Sequence, residues 1–99
     1  MSTALDTTVK TTQKLAPAKL WKVIILNDNY TPIDFVVAVL VQLYGKSEDE
    51  AYAIANSVHV SGKGVAGIYT QEICLQKAAD TCGIAKEYGH PLKAVAEEN

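Results

Sequence analysis

The sequence predicts a small α+β fold in the order β-α-α-β-α-β, with three helices packed on an antiparallel three-stranded sheet. Three observations lead to this prediction. Short β-rich apolar runs occur near residue 21, near residue 65 and close to the C-terminal end, helical periodicities fill the intervals, and glycines separate them. Strand and helix signals do not alternate in a regular βαβ rhythm, which argues against a doubly wound parallel sheet.

The first half of the fold begins with residues 21–26, an apolar run whose β-branched side chains predict a buried strand. Thr31 is the expected N-cap of a first helix, with Pro32 at the first helical position. Apolar residues recur at helical spacing up to Gly45, which is expected to end this helix. Ser47 and the three acidic residues after it predict a capping box and a second helix.

The second half is expected to place one more helix between two strands. Gly62 and Gly64 end the second helical pattern, and residues 65–69 predict the second strand. Thr70 is the expected cap of the third helix. Residues 92–96 predict a last short strand, which completes the sheet.

The chain divides once, after residue 18. Residues 1–18 contain five threonines, no aromatic residue and no usable periodicity, so they predict a flexible N-terminal tail. Residues 19–99 predict one folded domain, because about eighty residues can bury one modest core.

Composition excludes several function classes. All nine basic residues are lysine and the formal net charge is −2, which argues against nucleic-acid binding. No apolar run approaches the length of a membrane span, and no secretory signal precedes the domain, so we expect a cytoplasmic protein. Cys74 and Cys82 lie eight residues apart on one predicted helix, which predicts two free thiols rather than a disulfide. No spacing of ligands indicates a metal or another cofactor.

A polar cluster follows the first predicted strand. Asn27, Asp28 and Asn29 lie where a strand is expected to turn into a helix, a position at which binding residues collect. All three side chains accept hydrogen bonds, and Asp28 adds a negative charge, so together they suit an ammonium group. The simpler interpretation is that Asn and Asp form a turn there.

Five sequence blocks carry a resemblance to a known family. The sequence N-D-x-Y-T-P directly after a strand, with V-H about thirty residues later, resembles ClpS, the adaptor of the bacterial Clp protease that recognises N-degrons. The blocks keep the order and spacing of that family over roughly residues 20–96. They are residues 21–32, 35–37, 58–59, 62–70 and 90–92.

The resemblance implies a ligand and its site. The ligand would be the free N-terminus of a protein that begins with Leu, Phe, Tyr or Trp. Asn27 and Asp28 would accept hydrogen bonds from the α-amino group, and His59 would complete this part of the site directly or through a water. The first side chain of the ligand would enter an apolar pocket, whose implied lining is Thr31, Ile33, Val36, Ala55, Val58 and Leu92.

Three positions depart from the commonest family pattern. Asn29 stands where a second Asp is usual, which removes one negative charge near the ammonium group. Ile33 and Ala55 stand where Met is common, and Ile is stiffer than Met. We expect a pocket that is roomier at its base, in which large aromatic side chains gain relative to Leu.

The resemblance also implies how a substrate would be delivered. Glu72 and Lys77 match positions that touch the N-terminal domain of the Clp AAA+ unfoldase, and the tail would engage the unfoldase during handoff. The protein would act as a monomer, in a bacterial cytoplasm or a bacterium-derived organelle. Glu72 also has an ordinary explanation in the helix dipole, and Lys77 in a solvated helix surface.

Two other function classes compete with this interpretation. An enzyme using Asp28 and His59 lacks a Ser or Cys nucleophile in a recognisable context, so we expect no catalytic activity. The alternative is a non-catalytic docking domain like the C-terminal domain of a ribosomal stalk protein, which this fold resembles. That family lacks the N-D-x-Y-T-P block, so binding that depends on a free α-amine would distinguish the two.

Overall fold

The computed structural model describes residues 19–99 and confirms the predicted α+β order. The predicted tail, residues 1–18, lies outside the described residues. The six elements are β1 (Leu20–Leu26), α1 (Ile33–Tyr44), α2 (Glu48–Ser61), β2 (Lys63–Thr70), α3 (Gln71–Glu87) and β3 (Lys93–Glu98).

The three strands form one antiparallel sheet in the order β2-β1-β3. At one end of the sheet Leu26 pairs with Lys63 on one side and with Lys93 on the other. The register between β1 and β2 shifts after Val23, so that Ala66 is an extra, bulged residue. Strand β1 therefore ends where it is still paired with both β2 and β3, and the polar cluster follows it directly in the chain.

The helices cover one face of the sheet and enclose the hydrophobic core. Val23 and Ile25 point from the central strand into this core and are fully buried, whereas Ile24 points to the opposite face. The helices contribute mainly alanine and branched aliphatic side chains. These include Val36, Val37, Val39, Leu40, Ala51, Ala55, Val58, Ala78 and Ala85.

Three helix ends follow local sequence rules: the start of α2 and the ends of α1 and α2. Ser47 and Glu50 form the predicted capping box at the start of α2, with each side chain bonded to the other residue's backbone N–H at 3.1 Å. Gly45 and Gly62 end α1 and α2 in the left-handed conformation, at φ 66° and 92°. No helix within residues 19–99 combines the length and apolarity needed to cross a membrane.

The first helix does not begin as the sequence predicts. Pro32 is its N-cap, no side chain caps it, and α1 starts at Ile33 rather than at Pro32. Thr31 was expected to be the cap, but its hydroxyl donates instead to Asp28. The strands also extend further than predicted: β2 starts two residues earlier, at Lys63, and β3 runs on to Glu98.

The two cysteines are free, as predicted. Cys74 is buried and its thiol donates to the carbonyl oxygen of Tyr69, at 3.8 Å. Cys82 is only half-buried, and it contacts the backbone of Ala94 on β3. Both thiols therefore help to hold α3 against the sheet.

Candidate functional site

One cavity of about 260 Å³ opens between the β1–α1 turn, α1 and α2. It has a polar rim at the turn and an apolar floor between the helices. Leu26 and Asn29 line it, and so do all nine residues that the resemblance assigns to ligand binding. Those nine are Asn27, Asp28, Thr31, Ile33, Val36, Ala55, Val58, His59 and Leu92. The fold thus brings the predicted residues together, and their role in binding stays a prediction.

The Asp28 carboxylate organises the turn between β1 and α1. Its Oδ1 accepts hydrogen bonds from the backbone N–H groups of Tyr30 and Thr31, both at 2.7 Å. Its Oδ2 accepts the Thr31 hydroxyl at 2.8 Å. A carboxylate offers about four acceptor positions. Three are therefore filled by the protein itself, and the free capacity of Asp28 lies on Oδ2.

Asp28 remains ionised at neutral pH. Partial burial raises the pKa of its carboxyl group, but three other effects together outweigh burial and lower the pKa below its ordinary value of 3.8. These are the Thr31 hydroxyl bond, the two backbone N–H bonds and the nearby charge of His90. The rim of the cavity consequently carries a fixed negative charge.

A backbone hydrogen bond ties the end of β1 to the end of α2. The N–H of Asn27 donates to the carbonyl oxygen of Gly62 at 2.9 Å, and the N–H of Gly62 donates to Val58 at 2.9 Å. His59 lies in the last turn of the same helix and lines the cavity. Asn27 and His59, which are far apart in sequence, therefore share one rim.

The apolar floor of the cavity is tightly packed from behind. Val36, Ala55, Val58 and Leu92 are buried, whereas Ile33 is 38% exposed at the mouth. Strand β2 comes close to the floor at Gly64. A Cβ atom at this glycine would lie 2.9 Å from the Val58 side chain and 3.3 Å from the Ile54 carbonyl oxygen. The absence of a side chain at Gly64 lets α2 approach the sheet.

An aromatic cluster joins the start of α1 to the residues that follow α3. The Phe35 ring meets the His90 ring edge-on, with centroids 4.5 Å apart, and lies 5.6 Å from the Tyr88 ring. The backbone N–H of His90 donates to the carbonyl oxygen of Ala85, which fixes His90 to the end of α3. Sequence reasoning missed this contribution, because the cluster depends on how α1 packs beside the end of α3.

The two residues predicted to contact an unfoldase have different surroundings. Glu72 is exposed in the first turn of α3. Lys77 is half-buried, and its ammonium group donates to the carbonyl oxygen of Leu43 at 2.8 Å. The same group lies 5.5 Å and 5.4 Å from the ring centroids of Tyr44 and Tyr69. Lys77 is thus already bound within its own chain.

A buried hydrogen-bond network continues from Lys77 into the molecule. The Thr81 hydroxyl donates to the carbonyl oxygen of Lys77 at 2.8 Å, and the Tyr44 hydroxyl lies 2.7 Å from Thr81. Burial raises the pKa of Tyr44 to about 12, although the Thr81 hydrogen bond opposes this shift. The phenol therefore stays protonated and joins the end of α1 to the middle of α3.

Residues 16–95 match the family described as ATP-dependent Clp protease adaptor protein ClpS. This chain belongs to the ClpS family. It is 47% identical to the Clp protease adapter of Deinococcus radiodurans, over 91% of this chain and 79% of the relative. The adapter of Helicobacter hepaticus is 41% identical, over 97% of this chain and 95% of the relative. The family resemblance is confirmed, and so is the prediction that the chain is an adaptor rather than an enzyme.

A solved structure shows the same fold. Agrobacterium tumefaciens ClpS2 bound to L-phenylalaninamide superposes with a TM-score of 0.81 at 35% sequence identity. The match covers 84% of this chain and all of the Agrobacterium chain. Its likeness confirms the predicted β-α-α-β-α-β architecture, and the family match favours the adaptor over the ribosomal stalk alternative.

Proposed function

We propose that this protein binds proteins through a free N-terminal bulky hydrophobic residue and delivers them to a Clp ATPase-protease. The observation that carries this proposal is a cavity in which a polar rim meets an apolar floor. The ligand of the similar Agrobacterium structure, L-phenylalaninamide, has the matching parts: a free α-amino group beside an aromatic side chain. The setting would be a bacterial cytoplasm or a bacterium-derived organelle.

The polar rim suits an ammonium group. An α-amino group has an ordinary pKa of about 7.7–8.0, so it is mainly positive at neutral pH and offers three donors. Asn27 and His59 line the rim beside Asp28, and Asp28 supplies the charge. Because three hydrogen bonds within the turn already occupy Asp28, its contribution is the negative potential, one Oδ2 position and the shape of the turn.

The apolar floor suits one large side chain. Burying a Leu or Phe side chain contributes about 1.5–3 kcal/mol. Ala55 adds only a methyl group to the floor, and Ile33 forms a branched edge at the mouth. Such a cavity is wide at its base, so we expect Phe, Tyr and Trp to gain relative to Leu.

Delivery uses a different surface from ligand binding. Glu72 is exposed at the start of α3, where it can contact the N-terminal domain of the unfoldase. Lys77 supports this surface by fixing α3 to the end of α1, since its ammonium group is bound internally. Residues 1–18 would serve as the segment that the unfoldase engages during handoff.

Calorimetric titration with short peptides that differ only in the first residue tests the binding proposal. We expect Phe, Tyr, Trp and Leu peptides to bind, and Val and Ile peptides to bind at least about tenfold more weakly, which corresponds to about 1.4 kcal/mol. N-terminal acetylation removes the charge and should abolish binding. Equal affinity for free and acetylated peptides would contradict amine capture and favour a docking domain.

Deleting residues 1–17 separates binding from delivery. The truncated protein should bind the Phe peptide with unchanged affinity but should no longer accelerate degradation of a Phe-initiated substrate by the unfoldase and its protease. If peptide affinity and delivery fall together, the proposed division between folded domain and tail is wrong.

A further inference from the structure

The face of the sheet that points away from the helices carries an ordered pattern of side chains. Directly paired residues of antiparallel strands lie on the same face, so the register defines three rows across the sheet. From one end to the other, these rows are Ile68–Lys22–Glu97, Val65–Ile24–Val95 and Lys63–Leu26–Lys93. The bulge at Ala66 is what brings both Val65 and Ile68 onto this face.

The middle row is entirely apolar. Ile24 is only 4% exposed, although no helix of residues 19–99 covers this face and the hydrophobic core lies on the other side. Neighbouring side chains cover Ile24, and these neighbours are themselves exposed: Val65 is 40% exposed, Ile68 48% and Val95 38%. A contiguous apolar strip on a sheet face is the kind of surface that marks a protein contact.

Positive charge is concentrated on this face of the sheet. Residues 20–99 contain six of the nine lysines, since Lys10, Lys14 and Lys19 come before them. They also contain ten of the eleven acidic residues, since only Asp6 comes before them. Three of those six lysines and one of those ten acids lie in the three rows. A net positive face on a net negative domain indicates a partner with acidic side chains.

We infer that this sheet face, defined by the three rows, is a docking surface for an amphipathic acidic segment of another protein. Apolar side chains of the partner would cover the middle row while its carboxylates meet the lysines on the rows beside it. The chain's own residues 1–18 do not fit, because they contain two lysines and one aspartate. The same face of a second copy does not fit either, since it repeats the positive charge. The absence of arginine argues against a nucleic acid.

Nuclear magnetic resonance with two synthetic peptides tests this inference. Both peptides are helical, about 18 residues long, and carry leucines at the same positions, but one has Glu and the other Lys at every polar position. Both are N-acetylated, so neither has the free amine that the cavity is proposed to bind. We expect the Glu peptide to shift the amides of Val65, Ile68 and Val95, and to bind at least about tenfold more tightly than the Lys peptide.

A pair of double variants shows whether the face, rather than the overall charge, is responsible. K63E/K93E should reverse the preference between the two peptides. K46E/K86E changes the net charge equally at positions outside the three rows, and it should leave the preference unchanged. Binding of an unacetylated Phe peptide reports that each variant is folded and that the cavity is intact.

Several results would overturn the inference. These are equal binding of the Glu and Lys peptides, shifts confined to the cavity, and an equal loss of preference in both double variants. Concentration-dependent shifts of the three rows without any peptide would instead assign the face to self-association. A Phe peptide that fails to bind while the Glu peptide binds the face would contradict the proposed amine capture and leave the docking inference standing.

Discussion

The cavity side and the α3 side of this protein each hold a charged residue that the protein's own backbone binds. Asp28 accepts two backbone N–H groups and a hydroxyl in the β1–α1 turn. Lys77 donates to a carbonyl at the end of α1 and lies over two tyrosine rings. Both residues were predicted to contact a ligand or a partner, and both also form hydrogen bonds that stabilise the folded chain.

The difference lies in what each charge still faces. The Asp28 carboxylate is partly exposed at the rim of a cavity, and one acceptor position on Oδ2 is free. The Lys77 ammonium group is turned inward, toward a carbonyl oxygen and two aromatic faces. A charge bound by its own backbone can therefore still act on a ligand, provided that its open side faces a cavity.

The largest expected effect comes from removing the Asp28 carboxylate. Asp28→Ala loses both the negative potential and the three hydrogen bonds of the turn, so the affinity for a Phe peptide should fall by about 2–5 kcal/mol. Asp28→Asn keeps one carbonyl acceptor for the two backbone N–H groups but loses the charge and the second acceptor oxygen, which takes the Thr31 hydroxyl. It should therefore bind with intermediate affinity. Calorimetric titration of both variants separates the two contributions.

Lys77→Met provides the matched control for this experiment. It also removes one charge that is bound within the chain, but Lys77 does not line the cavity. Its peptide affinity should therefore stay within about twofold of the original. If Asp28→Ala binds the peptide as tightly as Lys77→Met does, the rim charge has no part in ligand binding.

Two glycine-to-alanine substitutions give the next comparison, because they should change the free energy of unfolding in opposite directions. Gly64→Ala would place a methyl group 2.9 Å from the Val58 side chain and 3.3 Å from a backbone oxygen of α2. The free energy of unfolding should fall by about 1–3 kcal/mol, and peptide affinity should fall because Val58 lines the cavity. Chemical denaturation and peptide titration measure the two effects.

Gly83 lies inside α3, and a Cβ atom there meets nothing within 4 Å. Gly83→Ala should therefore stabilise the protein by about 0.5–1 kcal/mol, because alanine favours the helix. Peptide affinity should not change. The interpretation of the cavity wall is wrong if the two substitutions shift stability in the same direction.

The sequence predicted those parts of the fold that depend on neighbouring residues. The Ser47–Glu50 capping box and the helix-ending glycines Gly45 and Gly62 follow from residues within one turn of each other. Thr31 was predicted as a helix cap, but Asp28 three residues earlier competes for its hydroxyl. The bulge at Ala66 could not be predicted, because it exists only in the pairing of β1 with β2.

The site depended more on resemblance than on local pattern. No local rule says that Asn27 and His59 meet, since the Asn27–Gly62 backbone bond that unites them spans the whole of α1 and α2. The inward direction of Lys77 depends on the packing of α3 against the end of α1, which the sequence does not display. The sequence alone predicted a polar cluster at the end of a strand, but it did not predict the direction in which each side chain points.

A smaller effect is expected on the α3 side. Lys77→Met leaves the carbonyl oxygen of Leu43 without its donor and removes two cation–π contacts. The free energy of unfolding should decrease by about 1–2 kcal/mol. Denaturation curves of Lys77→Met and of Glu72→Gln form the test, because Glu72 is exposed and its substitution removes only a helix-dipole interaction, so it should lower the free energy of unfolding by less than about 1 kcal/mol.

The same two variants decide which residue touches the unfoldase. Glu72→Gln should weaken binding to the isolated N-terminal domain of the unfoldase while lowering the free energy of unfolding by less than about 1 kcal/mol. A Lys77→Met protein that is fully stable but has lost this binding would show that Lys77 is a direct contact and not a structural support.

The smallest expected effect is the dependence of stability on pH. The folded protein lowers the pKa of Asp28 below 3.8, so its stabilisation is complete above that value and disappears as pH falls through the folded pKa. Because the carboxylate is partly exposed, the contribution should stay below about 1 kcal/mol. The stability difference between the original protein and Asp28→Asn should therefore shrink as the pH falls below about 4. Thr31→Val removes one of the three donors and should reduce this pH dependence, whereas a difference that stays constant across the acid range would show that the turn does not depend on the charge.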